Sequence, residues 1–237
     1  MPTLSKTLKA LTDMKIKVCG MRDAENIHAV SKLGVDYLGL IFWPNSPRFV
    51  KDVIESAGTM PDRPAELDTK DRCDNKPAIV GVFVDEMPQT VITHAYNYRL
   101  DCIQLHGNES PIYIENLKRT LIPNILPSVK IIKALSIRNA DDVKRWRDYE
   151  GCADMFLFDT KCECLGGSGE HFDWSVLDAY GGNIPFLLSG GIGPDDTQKV
   201  KDFNHPMCIG IDINSKFETA PAMKDVEEIR TFINKIQ

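Results

Sequence analysis

Eight short apolar runs recur along the chain, and each is followed by a segment with apolar residues at helical spacing. The runs are nearly uninterrupted by polar residues, which is typical of strands buried on both faces of a parallel sheet. They occupy residues 16–19, 37–42, 78–84, 102–105, 129–135, 155–158, 185–189 and 208–213. Eight β-then-α units within 237 residues favour an α/β fold of the (β/α)₈, or TIM, barrel type over a doubly wound sheet, which seldom needs so many regular units.

Capping residues mark the starts of several intervening helices. A short polar side chain at the N-cap accepts a hydrogen bond from a first-turn N–H, and a proline is tolerated in the first turn because its missing N–H costs little there. The candidate N-caps are Asp23, Asn139, Asp173 and Asp225, and the candidate first-turn prolines are Pro88, Pro111 and Pro194.

The alternation places the barrel at residues 15–237, as a single domain. Residues 1–14 form an N-terminal extension, either a short helix that caps the bottom of the barrel or a loose tail. Residues 58–76 are polar and rich in Pro and Asp, and they lie between the second helix and the third strand. Such connections lie on the face of a barrel that serves stability, so we interpret this segment as a tolerated surface insertion.

Charge and cysteine patterns argue against nucleic-acid, membrane and metal functions. The formal net charge is −6 and no basic run appears, whereas phosphate backbones need clustered Lys and Arg. The N-terminus lacks the apolar core of a signal peptide, and no stretch of about eighteen apolar residues is present to span a bilayer. The seven cysteines include no C-x-x-C, and Cys162 and Cys164 have no His at ligand spacing, so we expect no metal site. With an odd number of cysteines and no C-x-x-C, we expect the thiols to be reduced and the protein to be cytoplasmic.

In a barrel, the loops that follow the strands form the active face. The residues at these positions are Cys19, Gly20, Pro47, Arg48, His106, Gly107, Asp159, Gly190, Gly191, Asp212, Asn214 and Ser215. Titratable groups and glycines thus replace the Val, Leu and Ile of the strands themselves. This change of composition indicates a functional site.

In seven motifs the chain resembles, in order and spacing, the phosphoribosylanthranilate isomerase family. The motifs are "KVCGMRD", "LIFWPNSPRFV", "VGVFVD", "IQLHG", "FDTKCECLGGSGEHFDW", "LLSGGIGPDD" and "IGIDINSKFE", and the resemblance covers about residues 15–235. It implies a (β/α)₈ barrel whose substrate joins a phosphosugar to anthranilate. It also implies the Amadori rearrangement of N-(5-phosphoribosyl)anthranilate to 1-(2-carboxyphenylamino)-1-deoxyribulose 5-phosphate in tryptophan biosynthesis. Proton transfers suffice for that reaction, so we expect no cofactor.

The resemblance assigns the catalytic base to Cys19 and the acid to Asp159. A free cysteine titrates near about 8.5, so a helix N-terminus or nearby cations must favour its thiolate. A free aspartate titrates near about 3.9, so an apolar wall or a negative neighbour must keep Asp159 protonated. Each residue taken alone has another interpretation, since Cys19 could be a small packing residue and Asp159 a helix or loop cap.

Three further residues are expected to hold the anthranilate and the sugar. Arg48 is suited to gripping the anthranilate carboxylate bidentately, although alone it would be an ordinary surface arginine. His106 is expected to line the anthranilate side and to orient a carboxyl, with a core histidine bonded to the backbone as the alternative. Asp212 either positions the sugar or serves only as a structural cap.

The substrate phosphate needs backbone donors, and barrels commonly supply them after strands seven and eight. Gly190, Gly191, Asn214 and Ser215 occupy those positions. The family usually reads S-S-G-V-E after strand eight, whereas this chain has Lys216 in place of that glycine. Its ammonium either faces the phosphate or points outward.

A glycine-rich stretch in the sixth loop resembles a family loop that closes over substrate and excludes water. It contains Gly166, Gly167 and Gly169. The acidic partner and long helix of a dinucleotide site are missing, so a nucleotide-binding fingerprint fits poorly, and a plain turn is the remaining alternative.

Other functions stay open from the residues alone. The aminoaldose isomerase of histidine synthesis and an indole-forming enzyme of the tryptophan pathway are also phosphosugar barrels. The former uses paired aspartates, so Cys19 argues against it. A non-catalytic phosphosugar-binding barrel would gain nothing from Cys19 and Asp159 facing each other. For the quaternary state we expect a monomer or a weak homodimer.

Overall fold

The computed structural model describes residues 14–51, 76–160 and 173–237, and within them eight parallel strands close into a barrel. The strands are β1 Lys15–Met21, β2 Tyr37–Ile41, β3 Ala78–Phe83, β4 Cys102–Leu105, β5 Lys130–Ile137, β6 Met155–Thr160, β7 Phe186–Ser189 and β8 Cys208–Ile213. Each strand pairs with its neighbours in the sequence, and β1 closes the ring by pairing with β8. The predicted (β/α)₈ architecture is confirmed.

Helices connect the strands on the outside. The α-helices described are α1 Ala24–Ser31, α2 Pro88–Asn97, α3 Pro111–Asn124, α4 Ala140–Val143, α5 Thr197–Asp202 and α6 Val226–Ile236. Shorter 3₁₀ helices cover Lys144–Tyr149, Trp174–Ala179, Pro194–Asp196 and Ser215–Phe217, and a small hairpin after β8 joins β9 Glu218–Ala220 to β10 Met223–Lys224. Across the described ranges, no helix is long and apolar enough to cross a membrane.

The capping predictions agree with the helix starts. The side chains of all four candidate N-caps accept first-turn N–H groups; that of Asp23, for example, accepts from Asn26 N at 2.8 Å. Pro88 and Pro111 are the first residues of α2 and α3, and Pro194 begins its 3₁₀ helix. The segment after Asp173 forms a 3₁₀ helix instead of an α-helix.

Two apolar clusters hold the barrel together. The larger one lies between the strands and the surrounding helices, and the smaller one fills the interior with residues such as Val80, Val82, Ile132 and Leu157. Cys19 belongs to the interior cluster. Side chains alternate across a strand, so Lys17, two positions before Cys19 on β1, also faces the interior.

Three strands are longer than the apolar runs indicated. β1 continues to Met21, β5 to Ile137 and β6 to Thr160. Cys19 and Asp159 therefore lie within the last residues of their strands rather than at the end of an apolar run, because the ladder is made by backbone groups and tolerates a glycine or a carboxylate. The N-terminal extension up to residue 13, residues 58–75 of the insertion and the sixth-loop glycines lie outside the described residues.

Candidate active site

A cavity of about 230 Å³ opens at the carboxyl ends of the strands. The carboxyl ends of parallel strands meet at one rim, so side chains far apart in the sequence converge there. Of the predicted site residues, the cavity is lined by Cys19, His106, Asp159, Gly190, Gly191, Asp212, Asn214 and Ser215. Lys216, the residue that departs from the family pattern, also lines it.

Cys19 sits in the wall of this cavity, at 4% exposure. Its sulfur fits there because the paired residue on β2 is Gly39, where a Cβ atom would lie 2.8 Å from Cys19 Sγ. Burial raises the pKa of the Cys19 thiol, the charge of Lys17 lowers it, and the charge of Asp212 raises it. The charge of Lys224 lowers it as well, so two cations favour the thiolate while burial and one carboxylate oppose it.

Lys17 and Asp212 form an ion pair inside the barrel. They are register partners on β1 and β8, and Lys17 Nζ donates to Asp212 Oδ1 at 2.8 Å. Ser189 Oγ donates to the other oxygen, Asp212 Oδ2, at 3.0 Å. Burial lowers the pKa of Lys17, but the charges of Asp212 and Cys19 outweigh this effect and raise it to about 12. Lys17 therefore stays charged although its side chain is fully buried.

Asp159 and His106 lie next to each other in the lining of the cavity. Their closest atoms, His106 Nε2 and Asp159 Oδ2, are 3.4 Å apart. On the other side of the ring, Gln104 Nε2 lies 3.2 Å from His106 Nδ1. An amide that donates to Nδ1 leaves the imidazole proton on Nε2, where it points at Asp159. His106 is therefore not a core histidine bonded to the backbone, because it lines the cavity.

The glycines after β7 adopt conformations that favour glycine. Gly190 has φ 107° and Gly191 has φ 66°, both in the left-handed region. Gly190 also packs closely on Thr160, whose Oγ1 would lie 2.5 Å from a Cβ atom at that position. The backbone can therefore come close to a ligand in the cavity. Ser215 begins a 3₁₀ helix on the same rim, as expected for the strand-eight loop.

Arg48 lies beside the cavity, behind Gly20, and contacts a carboxylate of the chain itself. Its Nε donates to Glu218 Oε1 at 2.8 Å and its Nη2 donates to Oε2 at 2.6 Å. Lys224 Nζ donates to Glu218 Oε1 at 2.6 Å and to Asn214 Oδ1 at 2.7 Å. Hydrogen bonding with Asn26 holds the Lys224 backbone. This network fixes one edge of the Arg48 guanidinium and ties it to the strand-eight loop.

Five residues of the site were not predicted from the sequence, and they are Lys17, Gln104, Ser189, Glu218 and Lys224. Lys17 and Gln104 carried a usable signal, because each is polar within an apolar strand run and precedes a predicted site residue by two positions. The sequence gives little indication of a role for Ser189, Glu218 or Lys224, because those roles depend on partners distant in the sequence.

Acid–base groups and left-handed glycines at the carboxyl ends of eight parallel strands define a (β/α)₈-barrel enzyme. In the part of the chain that the structure covers, no group of three or more His, Cys, Asp or Glu side chains is placed to hold a metal ion. A family profile described as "N-(5'phosphoribosyl)anthranilate (PRA) isomerase" matches residues 16–235. The chain therefore belongs to the N-(5'-phosphoribosyl)anthranilate isomerase family.

Individual relatives agree with this assignment. The N-(5'-phosphoribosyl)anthranilate isomerase of Parabacteroides distasonis is 42% identical over 223 residues, covering 94% of this chain and 93% of its own. That of Phocaeicola vulgatus is 42% identical over 224 residues, covering 94% and 98%. The crystal structure of the Thermus thermophilus enzyme superposes with a TM-score of 0.72 at 26% identity, covering 94% and 98%.

A further solved structure is that of a phosphoribosyl anthranilate isomerase in complex with reduced 1-(o-carboxyphenylamino)-1-deoxyribulose 5-phosphate. It has a TM-score of 0.68 to this chain at 25% identity, with 94% of this chain and 98% of that chain covered.

Proposed function

We propose that this chain catalyses the rearrangement of N-(5-phosphoribosyl)anthranilate to 1-(2-carboxyphenylamino)-1-deoxyribulose 5-phosphate, an isomerase step of tryptophan biosynthesis. Membership of the family and a homologue solved with the reduced product support this activity. The observation that carries the mechanism is that Cys19 and Asp159, which lie on β1 and β6, line one cavity. An acid and a base that face one bound sugar can divide the two proton transfers between them.

The first step opens the ribose ring. Asp159 gives its proton to the ring oxygen, the bond from that oxygen to C1′ breaks, and the anthranilate nitrogen lone pair forms the C1′–N double bond. The Nε2 proton of His106 then faces the newly formed carboxylate of Asp159 at 3.4 Å and stabilises its charge. His106 thus serves the acid by orienting and stabilising it.

The second step removes the proton from C2′. The Cys19 thiolate takes this proton, and the electrons of the broken C–H bond form the C1′–C2′ double bond of an enolamine while the iminium nitrogen becomes neutral. The enolamine is an isomer of the product, and it becomes the aminoketone when a proton moves from the C2′ hydroxyl to C1′. The Cys19 thiol then loses the proton that it took up, and the Asp159 carboxylate regains one. The enzyme is thus restored and no net proton is consumed.

The remaining contacts hold the substrate. We assign the phosphate to the backbone of Gly190 and Gly191 with Ser215, and the ammonium of Lys216 adds positive charge on the same rim. The anthranilate carboxylate is assigned to Arg48, whose edge opposite Glu218 has no partner among the described residues and can form a second bidentate pair. Asp212 is bonded to Lys17 and Ser189, so its part is to shape the site around Cys19.

Fluorescence-monitored turnover of N-(5-phosphoribosyl)anthranilate tests this proposal. We expect Cys19→Ser and Asp159→Asn to lower kcat by at least about 10³-fold while the binding of a product analogue changes little. Matched controls are Cys102→Ser, a second buried cysteine of the barrel interior, and Asp154→Asn, an aspartate that precedes β6 at its opposite end. Both controls should retain turnover.

Three outcomes would contradict the proposal. Full turnover by Asp159→Asn would remove the acid. Turnover of the aminoaldose of histidine synthesis but not of the anthranilate substrate would assign the barrel to the other isomerase. Binding of the substrate by the unmodified chain without any turnover would indicate a non-catalytic phosphosugar-binding barrel.

A further inference from the structure

Lys17 is a buried cation that the proton transfers do not use directly. It precedes Cys19 by two positions on β1, so both side chains face the barrel interior. Its side chain has 0% exposure, which is rare for a lysine because removing an ammonium from water is costly. A residue this expensive to bury needs an explanation beyond filling space.

A second buried lysine, Lys133 on the outer face of β5, shows what a structural role looks like. Lys133 Nζ donates to the carbonyls of Leu105 and Gly107 and to Glu109 Oε2, at 3.2, 2.7 and 2.9 Å, so three oxygens satisfy its three N–H groups. In the described part of the chain, Lys17 Nζ has one oxygen acceptor, Asp212 Oδ1. The Lys17 side chain lies on the face of β1 that also carries the Cys19 sulfur, and its charge lowers the pKa of Cys19.

Other charges reach Cys19 from several elements. Lys224 of β10 and Arg48 of the loop after β2 also interact with Cys19, but they share a single carboxylate, Glu218, which offsets one of their two positive charges. His106 and Asp159 line the same cavity as Cys19. The ion pair of Lys17 and Asp212 differs from these groups because its cation lies on the same face of β1 as the sulfur, two residues away.

We infer that Lys17 is a positioning residue for the catalytic base: its ammonium stabilises the Cys19 thiolate, and Asp212 limits how much of that charge the sulfur experiences. This inference rests on the proposed function, in which Cys19 acts as a thiolate. It explains how a thiol in an apolar wall, where burial disfavours ionisation, can still remove a carbon-bound proton.

The test titrates Cys19 without substrate. The full-length chain is alkylated with iodoacetamide across a range of pH, and mass spectrometry follows the Cys19 peptide. The thiolate sulfur displaces iodide, so the rate reports the fraction ionised. We expect Lys17→Met to move the midpoint upward by about one pH unit, a tenfold loss of reactivity below it, and Asp212→Asn to move it downward. The double variant should lie between the two.

Opposite shifts from the two partners are the signature of an electrostatic role, since simple loss of packing would move both variants the same way. Lys133→Met is the matched control, and it should lose stability without moving the Cys19 midpoint. If Lys17→Met does not fold, Lys17→Arg, which keeps the charge, and Asp212→Asn still decide the question. Equal midpoints in Asp212→Asn and the unmodified chain, or an upward shift, would overturn the inference. Absence of turnover by the unmodified chain would instead refute the proposed function and leave this titration unaffected.

Discussion

Replacing Gly39 with alanine tests whether the position of the Cys19 sulfur limits turnover. Gly39 is buried on β2 directly beside Cys19, and its backbone needs no left-handed conformation. A Cβ atom there would lie 2.8 Å from Cys19 Sγ and 3.0 Å from Cys19 Cα. Comfortable non-bonded contacts need about 3.5–4.0 Å, so the sulfur must move by about 1 Å or the two strands must separate.

The displacement sets two expected magnitudes. Overpacking of this kind lowers the free energy of unfolding by about 1–3 kcal/mol, which lowers Tm by about 2–4 °C per kcal/mol in a chain of this size. Moving a catalytic group by about 1 Å lowers kcat by about 10²-fold. We therefore expect Gly39→Ala to remain folded at room temperature and to lose most of its turnover.

Steady-state turnover and urea unfolding measure the two effects separately. Gly81→Ala on β3 is the control for overpacking alone, since its Cβ atom would meet Leu100 and Phe83 and no part of Cys19. Gly181→Ala is the control for substitution as such, because nothing lies within 4 Å of the added atom. Turnover by Gly39→Ala equal to that of the unmodified chain would refute the reasoning. So would an equal loss of kcat in Gly81→Ala.

Two further substitutions probe substrate binding. Glu218→Gln removes the charge that holds one edge of Arg48, so we expect KM to rise about tenfold with kcat nearly unchanged, and an unchanged KM would contradict this orienting role. Gly190→Ala places a Cβ atom against Thr160 at φ 107°, so we expect the free energy of unfolding in urea to fall by at least about 1 kcal/mol. We also expect inorganic phosphate to become a weaker competitive inhibitor. Unaltered phosphate inhibition would place the anion elsewhere.

The repeated units and their caps were readable from the sequence. A strand in a parallel barrel is covered on both faces, so its run is apolar throughout, and a cap such as Asp23 or Asn139 acts on N–H groups within its own first turn. These are local constraints, and they do not depend on which distant residues fold alongside. The sequence also predicted that the polar groups at the strand ends lie near one another, because a barrel brings those ends together at one rim.

The pairings within the site depended on the tertiary structure. Arg48 and Glu218, or Lys17 and Asp212, are far apart in the sequence, and nothing in the spacing of either residue names its partner. Closure of the barrel brings β1 beside β8 and fixes their register, which places a buried ammonium and a buried carboxylate 2.8 Å apart.

The proposed mechanism requires one pentose to contact both the β1 sulfur and the β6 carboxyl. The chain alone specified which chemical groups were on hand, because residue identity and strand periodicity are written locally. The tertiary structure decided which of these groups lie in contact and how deeply they are buried. Their protonation states depend on both, because the partners of β1 come from β8, at the other end of the chain. A bound substrate that contacts just one of those two groups would contradict the proposed mechanism.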